Sequence, residues 1–125
     1  MGERLEALRL TDIVEAIDLI NSEMAGVSLQ AFESDKRKRW VVERGIEIIS
    51  EASRHLTADL KQRRPEIPWP KVAGIGNILR HDYERIAHDV LWYVVKNDLP
   101  VLHEVCRTEL AASKTSTARG KLAPQ

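Results

Sequence analysis

The sequence has a single cysteine, Cys106, among its 125 residues. One cysteine excludes an internal disulfide and any zinc site built from several cysteines. Long hydrophobic runs are also missing, since no apolar segment approaches the ~20 residues that a helix needs to cross a bilayer. The charged start, "MGERLEALRL", lacks the apolar core of a signal peptide. We therefore expect a soluble, cytoplasmic protein.

An excess of charge of either sign is missing as well. The 19 lysine and arginine residues balance 19 aspartate and glutamate residues. Three of the basic residues lie in the last thirteen positions, which hold no acid, so residues 1–112 carry 16 basic and 19 acidic residues. Free-standing nucleic-acid binders usually have a basic excess, because neutralising phosphates drives their affinity. Any contact with nucleic acid must therefore come from a local patch.

What the sequence does contain is apolar residues at helical spacing. One stripe predicts an amphipathic helix over residues 4–24, with Gly26 suited to its end. A second long helix is expected to open at Ser34 or Asp35, and Ser28 and Thr57 are suited to cap short helical turns. The predicted inward positions of the two long helices are Leu10, Ile13, Ile17, Ile20, Met24, Val42, Ile46, Ile49, Ser53 and Leu56.

The second half of the chain is also helical in pattern, after a break. The segment "RRPEIPWP" (63–70) holds three prolines and ends any helix. Helix then resumes through "KVAGIGNILRH", and a last helix starts near Asp89, with Pro100 expected to kink or split it. We predict an all-α, antiparallel bundle of four to five helices over residues 1–112 and a disordered basic tail over 113–125.

The segment "GNILRHDYERIAHD" (76–89) concentrates titratable side chains. His81 and His88 are seven residues apart, as are Asp82 and Asp89, which is a spacing that can place metal ligands on one helix face. The segment between the two pairs, however, is where we expect one helix to end and the next to begin. The pattern therefore does not favour a metal site.

Metal-free cleavage of RNA is a second interpretation of this segment. It needs a group that moves a proton, for which histidine is suited by its pKa near 6.5, and a fixed cation for the phosphate. His81 and Arg80 supply these two groups, and Asn77, one turn earlier, adds an amide on the same face. The alternative is that these side chains only complete a helix terminus. Spacing alone favours this alternative.

Several segments between about residue 5 and residue 110 resemble, in the same order, those of a known protein family. Four of these segments resemble the HepT-like branch of the HEPN-domain proteins: "SEAS" (50–53), "RRPEIPW", "GNILRHDY" and "DVLWYVVKNDLPVLHEV". At the first of them, a "GEAS"-like pattern is typical of the family. The resemblance implies a small helical homodimer encoded beside a minimal nucleotidyltransferase, as a toxin–antitoxin pair. The HEPN partner would be a metal-independent endoribonuclease without a cofactor. The nucleotidyltransferase would neutralise it by adenylylating the motif tyrosine.

Carried over residue by residue, the family motif places its histidine on His81, its tyrosine on Tyr83 and its asparagine on Asn77. The motif arginine falls on Gly76, so this chain has lost it. Arg80 lies one helical turn later, about 40° around the axis, and its side chain leans toward the space above Gly76. Two hypotheses follow. Either Arg80 replaces the arginine, and Gly76→Arg is neutral or slightly activating, or the chain is a non-catalytic adaptor that docks the nucleotidyltransferase.

Overall fold

A computed structural model describes residues 2–82 and 87–122, with side chains over 4–81 and 87–113. Every regular element in these ranges is helical, which confirms the all-α prediction. The helices are α1 (Gly2–Met24), α2 (Leu29–Ser34), α3 (Lys36–Arg54), α4 (Ala58–Arg63), α5 (Trp69–Asp82), α6 (His88–Tyr93) and α7 (Leu99–Leu122), with a π-helical turn at Val94–Asp98. The long helices form the bundle: α3 packs against both α1 and α5, and α7 packs against α1.

The core forms from the apolar stripes of the long helices. All ten inward positions that the sequence predicts for α1, α3 and Leu56 are buried. In the second half of the chain, Leu91, Val95, Leu102 and Val105 are buried too. Each large apolar side chain stabilises the fold by ~1.5–3 kcal/mol on full burial. Helix α3 is therefore held firmly by its neighbours, and it provides a fixed surface for α5.

Side chains that the sequence marks as caps begin three of the helices. Ser28 Oγ accepts a hydrogen bond from the backbone N–H of Ala31, which starts α2. Asp35 caps α3 and Thr57 caps α4 in the same way, each through the N–H three residues later. Gly26 has a φ of 73°, a left-handed conformation that favours glycine after a helix end. The boundaries of the first four helices thus follow from local chemistry.

The three-proline segment fixes where α5 begins. Trp69, the first residue of α5, is 7% exposed, and its indole Nε1 donates to the carbonyl oxygen of Arg64 at 3.0 Å. Pro70 lies in the first helical turn, where a missing N–H costs no intrahelical bond. The start of α5 is thereby anchored, and its far end carries the candidate site residues.

The last helix is interrupted just before Pro100. In the π-helical turn Val94–Asp98, the N–H of Leu99 donates to the carbonyl oxygen of Val94, five residues back. Pro100 then lies in the first turn of α7, and the irregularity predicted there is a π-helical turn within continuous helical backbone rather than a split. Helix α7 continues to Leu122, past residue 113, where the sequence predicts a disordered tail to begin. Positions 113–119 contain no proline or glycine, the two residues that most often end a helix.

The lone cysteine lies in the core of the bundle. Cys106 is fully buried on α7, and this burial raises the pKa of its thiol to about 12. A thiol is nucleophilic only as the thiolate, so Cys106 is unreactive at neutral pH. None of the described helices is both long enough and apolar enough to cross a membrane.

A carboxylate on α7 ties down the segment that precedes α5. Glu109 accepts from Arg63 Nη2 and from Arg64 Nε, each at 2.8 Å, and its side chain is 12% exposed. Burial raises the pKa of Glu109, but the hydrogen bonds and charges of the two arginines outweigh it and lower this pKa below its ordinary value of 4.5. Both carboxylate oxygens are thus used to hold the end of α4 against α7.

Glu109→Gln should lower the free energy of unfolding by about 1–3 kcal/mol at pH 7, because it removes two charge-assisted hydrogen bonds. The pKa of Glu109 is lower in the folded state. Its contribution is therefore complete above pH 4.5 and fades as the pH falls through the folded-state pKa. Urea denaturation at pH 7 and pH 3 measures the gap between variant and wild type. Glu66→Gln, at an exposed residue 3.6 Å from Arg64, is the matched control. A gap that does not shrink at pH 3 would contradict this account.

Candidate active site

Helices α3 and α5 run antiparallel and approach closely at one point. Ser50 Oγ donates to the carbonyl oxygen of Ala73 at 2.6 Å and accepts from the backbone N–H of Gly76 at 3.2 Å. One turn later in α3, Arg54 Nη2 donates to the same Ala73 oxygen at 3.0 Å. Ser50 is 2% exposed. A buried serine is therefore bonded to the backbone of α5, one turn before the predicted site residues.

Three of the four predicted site residues lie on the exposed side of α5. Asn77, Arg80 and His81 are all exposed, and we call them the site face. At about 100° per residue, Arg80 lies ~40° from the Gly76 contact, and Asn77 and His81 lie ~100° and ~140° from it on the same side. Arg80 thus borders α3, and the other two face solvent. The fourth residue, Tyr83, lies outside the described residues.

Charged groups of α3 border this face. Glu51 Oε1 lies 3.2 Å from His55 Nε2, and this hydrogen bond is the largest cause of a lowered Glu51 pKa. The positive charges of Arg54 and Arg80 lower the same pKa further. This effect agrees with the position of Arg80, ~40° around α5 from the α3 contact. Arg80 and His81 are consecutive exposed residues at the end of α5.

Position 76 is closed rather than open. Gly76 is buried, and an ideal Cβ built on it would collide with the Oγ of Ser50, lie 2.5 Å from the Cβ of Ser50 and lie 3.7 Å from the Cα of Glu47. The expectation that an arginine would be tolerated here is therefore wrong. Glycine at this position allows the serine to reach the backbone of α5.

An exposed aromatic residue of α3 is a feature that the sequence reasoning missed. Trp40 is 61% exposed, and Lys36 Nζ lies 5.8 Å from the centroid of its ring. Helical spacing puts Trp40 on the same stripe of α3 as Arg44, Glu47 and Glu51. A tryptophan four residues after a lysine, on the polar face of an amphipathic helix, is the signal that could have identified it.

The basic run at residues 36–39 is partly used within the fold. Lys38 Nζ donates to the backbone oxygen of Glu23 at 3.1 Å and lies 3.4 Å from its carboxylate. Arg39 Nη1 donates to the backbone oxygen of Glu33 at 2.6 Å. Two of the four charges thus join the start of α3 to α1 and α2. These two side chains therefore contribute to the packing of the fold and do not simply face water.

The two His-Asp pairs lie on different helices. His81 and Asp82 end α5, and His88 and Asp89 begin α6. Ala87 precedes α6 without a side-chain cap, and Asp89, in the first turn, accepts through Oδ1 from the adjacent N–H of Val90. Within the described part of the chain, no three His, Cys, Asp or Glu side chains are grouped as a metal site requires.

The chain is similar in sequence to known proteins of one family. The family model described as "Ribonuclease HepT-like" matches residues 13–109. A protein of Thermococcus cleftensis named "Probable ribonuclease HepT" is 41% identical over 93 residues, which cover 74% of this chain and 84% of that protein. A protein of Methanocaldococcus jannaschii, MJ1380, whose name carries a provisional assignment as an RNase, is 36% identical over 100 residues, or 80% and 92% of the two chains. No solved structure matches the chain. The chain belongs to the HepT-like ribonuclease family.

Gly76→Ala should destabilise the protein by about 1–3 kcal/mol, because the added methyl group overpacks the contact with Ser50. Gly74→Ala is the matched control, since it lies in the same helix and its Cβ would meet nothing within 4 Å. That change should stabilise by ~0.5–1 kcal/mol, because alanine is the better helix former. Thermal denaturation of both variants measures the difference. Equal effects at the two glycines would disprove the tight contact.

Proposed function

We propose that this protein is a cytoplasmic, metal-independent endoribonuclease and the toxin of a toxin–antitoxin pair. In this proposal His81 transfers the proton and Arg80 binds the phosphate, while Asn77 supports RNA binding. The observation that carries the proposal is the joint exposure of Arg80 and His81 at the end of α5. Membership of the HepT-like family and relatives named as ribonucleases support it.

The proposed reaction needs only groups that this chain supplies. The 2′-oxygen of a ribose attacks the neighbouring phosphorus, and the bond from phosphorus to the 5′-oxygen breaks. One proton leaves the 2′-hydroxyl and one reaches the departing 5′-oxygen, which gives a cyclic phosphate and a free 5′-hydroxyl. His81 is the proposed carrier of these protons, because imidazole titrates near neutral pH. Arg80 stabilises the charge that develops on the phosphate oxygens.

A second candidate function is an adaptor that binds the nucleotidyltransferase without cleaving RNA. The observation that favours it is the loss of the motif arginine at position 76, where the contact with Ser50 leaves no room for a side chain. In this reading Arg80 is a surface residue without a catalytic role. Activity on RNA separates the two functions, because an adaptor leaves RNA intact.

The purified protein should cleave RNA in the presence of EDTA. His81→Ala should reduce the rate by ~10²–10⁴-fold, because it removes the proton-transfer group. Arg80→Ala should cause a comparable loss, and Arg80→Lys should recover only part of it, since an ammonium lacks the bidentate guanidinium. Arg107→Ala, at an exposed arginine of α7, is the matched control and should cleave like the wild type. An inert wild type would favour the adaptor.

The proposed active form is a homodimer with the site in the groove between subunits. Trp40 and Ile48 are exposed on α3, by 61% and 36%. One chain of this size offers few walls for a substrate groove. Two copies related by a twofold axis would cover these apolar side chains and place two site faces across one groove.

Analytical ultracentrifugation at micromolar concentration should therefore give the mass of a dimer. Trp40→Ala should weaken the dimer by ~30-fold or more, as expected when a central aromatic anchor is removed. Leu19→Ala is the matched control, since Leu19 is 59% exposed but lies on α1. This change should leave the mass unaltered. A monomeric wild type would rule the dimer out.

The proposed control of the toxin is adenylylation of Tyr83 by a nucleotidyltransferase antitoxin. The phenolic oxygen would attack the α-phosphorus of ATP, with pyrophosphate as the leaving group. The added AMP carries a negative charge and a bulky nucleoside. Placed two residues after His81, it would oppose RNA by charge and by volume.

Mass spectrometry after incubation with the cognate nucleotidyltransferase and ATP should show one adenylyl adduct on Tyr83. Tyr83→Phe should abolish the adduct. Tyr93→Phe should retain it, and this is the matched control because Tyr93 is the second of two tyrosines and is 59% exposed on α6. An adduct on Tyr93, or none on the wild type, would exclude this mode of control.

A further inference from the structure

Ser50 differs from the other buried serine of α3 in what its hydroxyl binds. Both of its hydrogen bonds go to the backbone of α5, at Ala73 and Gly76. Ser53 is equally buried, at 1% exposed, but its hydroxyl donates to the backbone oxygen of Ser50 at 2.7 Å, within α3. The Ser53 bond therefore acts inside one helix, while the two Ser50 bonds join two helices.

These two bonds restrict α5 in rotation and in translation. A helix that slips by one residue moves by ~1.5 Å along its axis and turns by about 100°. Such a turn would carry the N–H of Gly76 and the oxygen of Ala73 away from Ser50. It would also move Arg80 off its position ~40° from the α3 contact. The two Ser50 bonds therefore depend on the same rotation of α5 that sets the direction of Arg80 and His81.

We propose that Ser50 is a positioning residue of the site: its hydroxyl sets the rotation of α5 that holds Arg80 beside α3, and its side chain occupies the space that a side chain at position 76 would need. The cation of the site is therefore at position 80 because Ser50 closes position 76. The catalytic part of this inference rests on the proposed ribonuclease function. The steric part does not.

The first experiment compares Ser50→Ala with Ser53→Ala. Each change removes a buried hydroxyl from α3 and keeps the Cβ, so both remove one buried polar group. Below the melting temperature of both variants, Ser50→Ala should lower kcat for RNA cleavage by ~10-fold or more with little change in KM. Ser53→Ala should leave kcat near that of the wild type. Equal kcat values in the two variants would overturn the positioning role, because a purely structural serine predicts no such difference.

The second experiment is a cycle of Ser50→Gly, Gly76→Ala and the double variant. If Ser50 alone closes position 76, Gly76→Ala should lower the melting temperature of the Ser50→Gly variant by no more than half as much as it lowers that of the wild type. In a protein that also carries Arg80→Ala, the pair Ser50→Gly and Gly76→Arg should recover cleavage by ~10-fold or more. Gly76→Arg without Ser50→Gly should not.

The outcomes separate this inference from the proposed function. Additive losses of melting temperature would overturn the inference, whatever the activity, because the two residues would then act independently. Coupled melting temperatures in a wild type that does not cleave RNA would support the closure of position 76 and overturn the ribonuclease proposal. Coupling without recovery of cleavage would overturn the claim that position 76 can serve the site once Ser50 is removed.

Discussion

The close approach of α3 and α5 at Ser50 and Gly76 determines what this site can contain. The distance between packed helices depends on the side chains at their contact, and glycine permits the closest approach. Here the gap is filled by one hydroxyl that is bonded on both its donor and its acceptor side. Leaving a buried hydroxyl without partners costs about 1–3 kcal/mol. The contact is therefore both tight and satisfied, and α5 is fixed by it one turn before the site face.

The charge distribution agrees with a site that depends on local groups. The whole chain has no net charge, so it lacks the overall basic excess that draws a protein to RNA. Near the site face, Glu51 is hydrogen-bonded to His55, and the positive charges of Arg54 and Arg80 lower the pKa of Glu51. In the proposed function, phosphate binding would depend on the direction of individual guanidinium groups, which we propose the α3–α5 contact controls.

Local patterns predicted the fold well because helices are largely encoded by nearby residues. The stripes of α1 and α3, the caps at Ser28, Asp35 and Thr57, and the break at the prolines all depend on residues within about four positions of one another. The Ser50–Gly76 contact joins residues 26 apart, so no local pattern contains it. For the same reason, local patterns predicted open space at Gly76 and identified Ser50 only as part of the "SEAS" motif. Trp40 was missed because periodicity identifies buried positions and gives no reason for an exposed indole.

The histidines offer the most direct measurement of the central claim, that Arg80 and His81 form the phosphate site. The chain has four histidines, and their side-chain ¹H–¹⁵N resonances can be followed separately by NMR. An RNA oligonucleotide with 2′-deoxy substitutions binds without being cleaved, because the attacking hydroxyl is absent. During its titration, the His81 resonances should shift, while those of His103, bonded to Asp18 at 2.8 Å between α7 and α1, should not. Binding that leaves His81 unchanged would contradict the account.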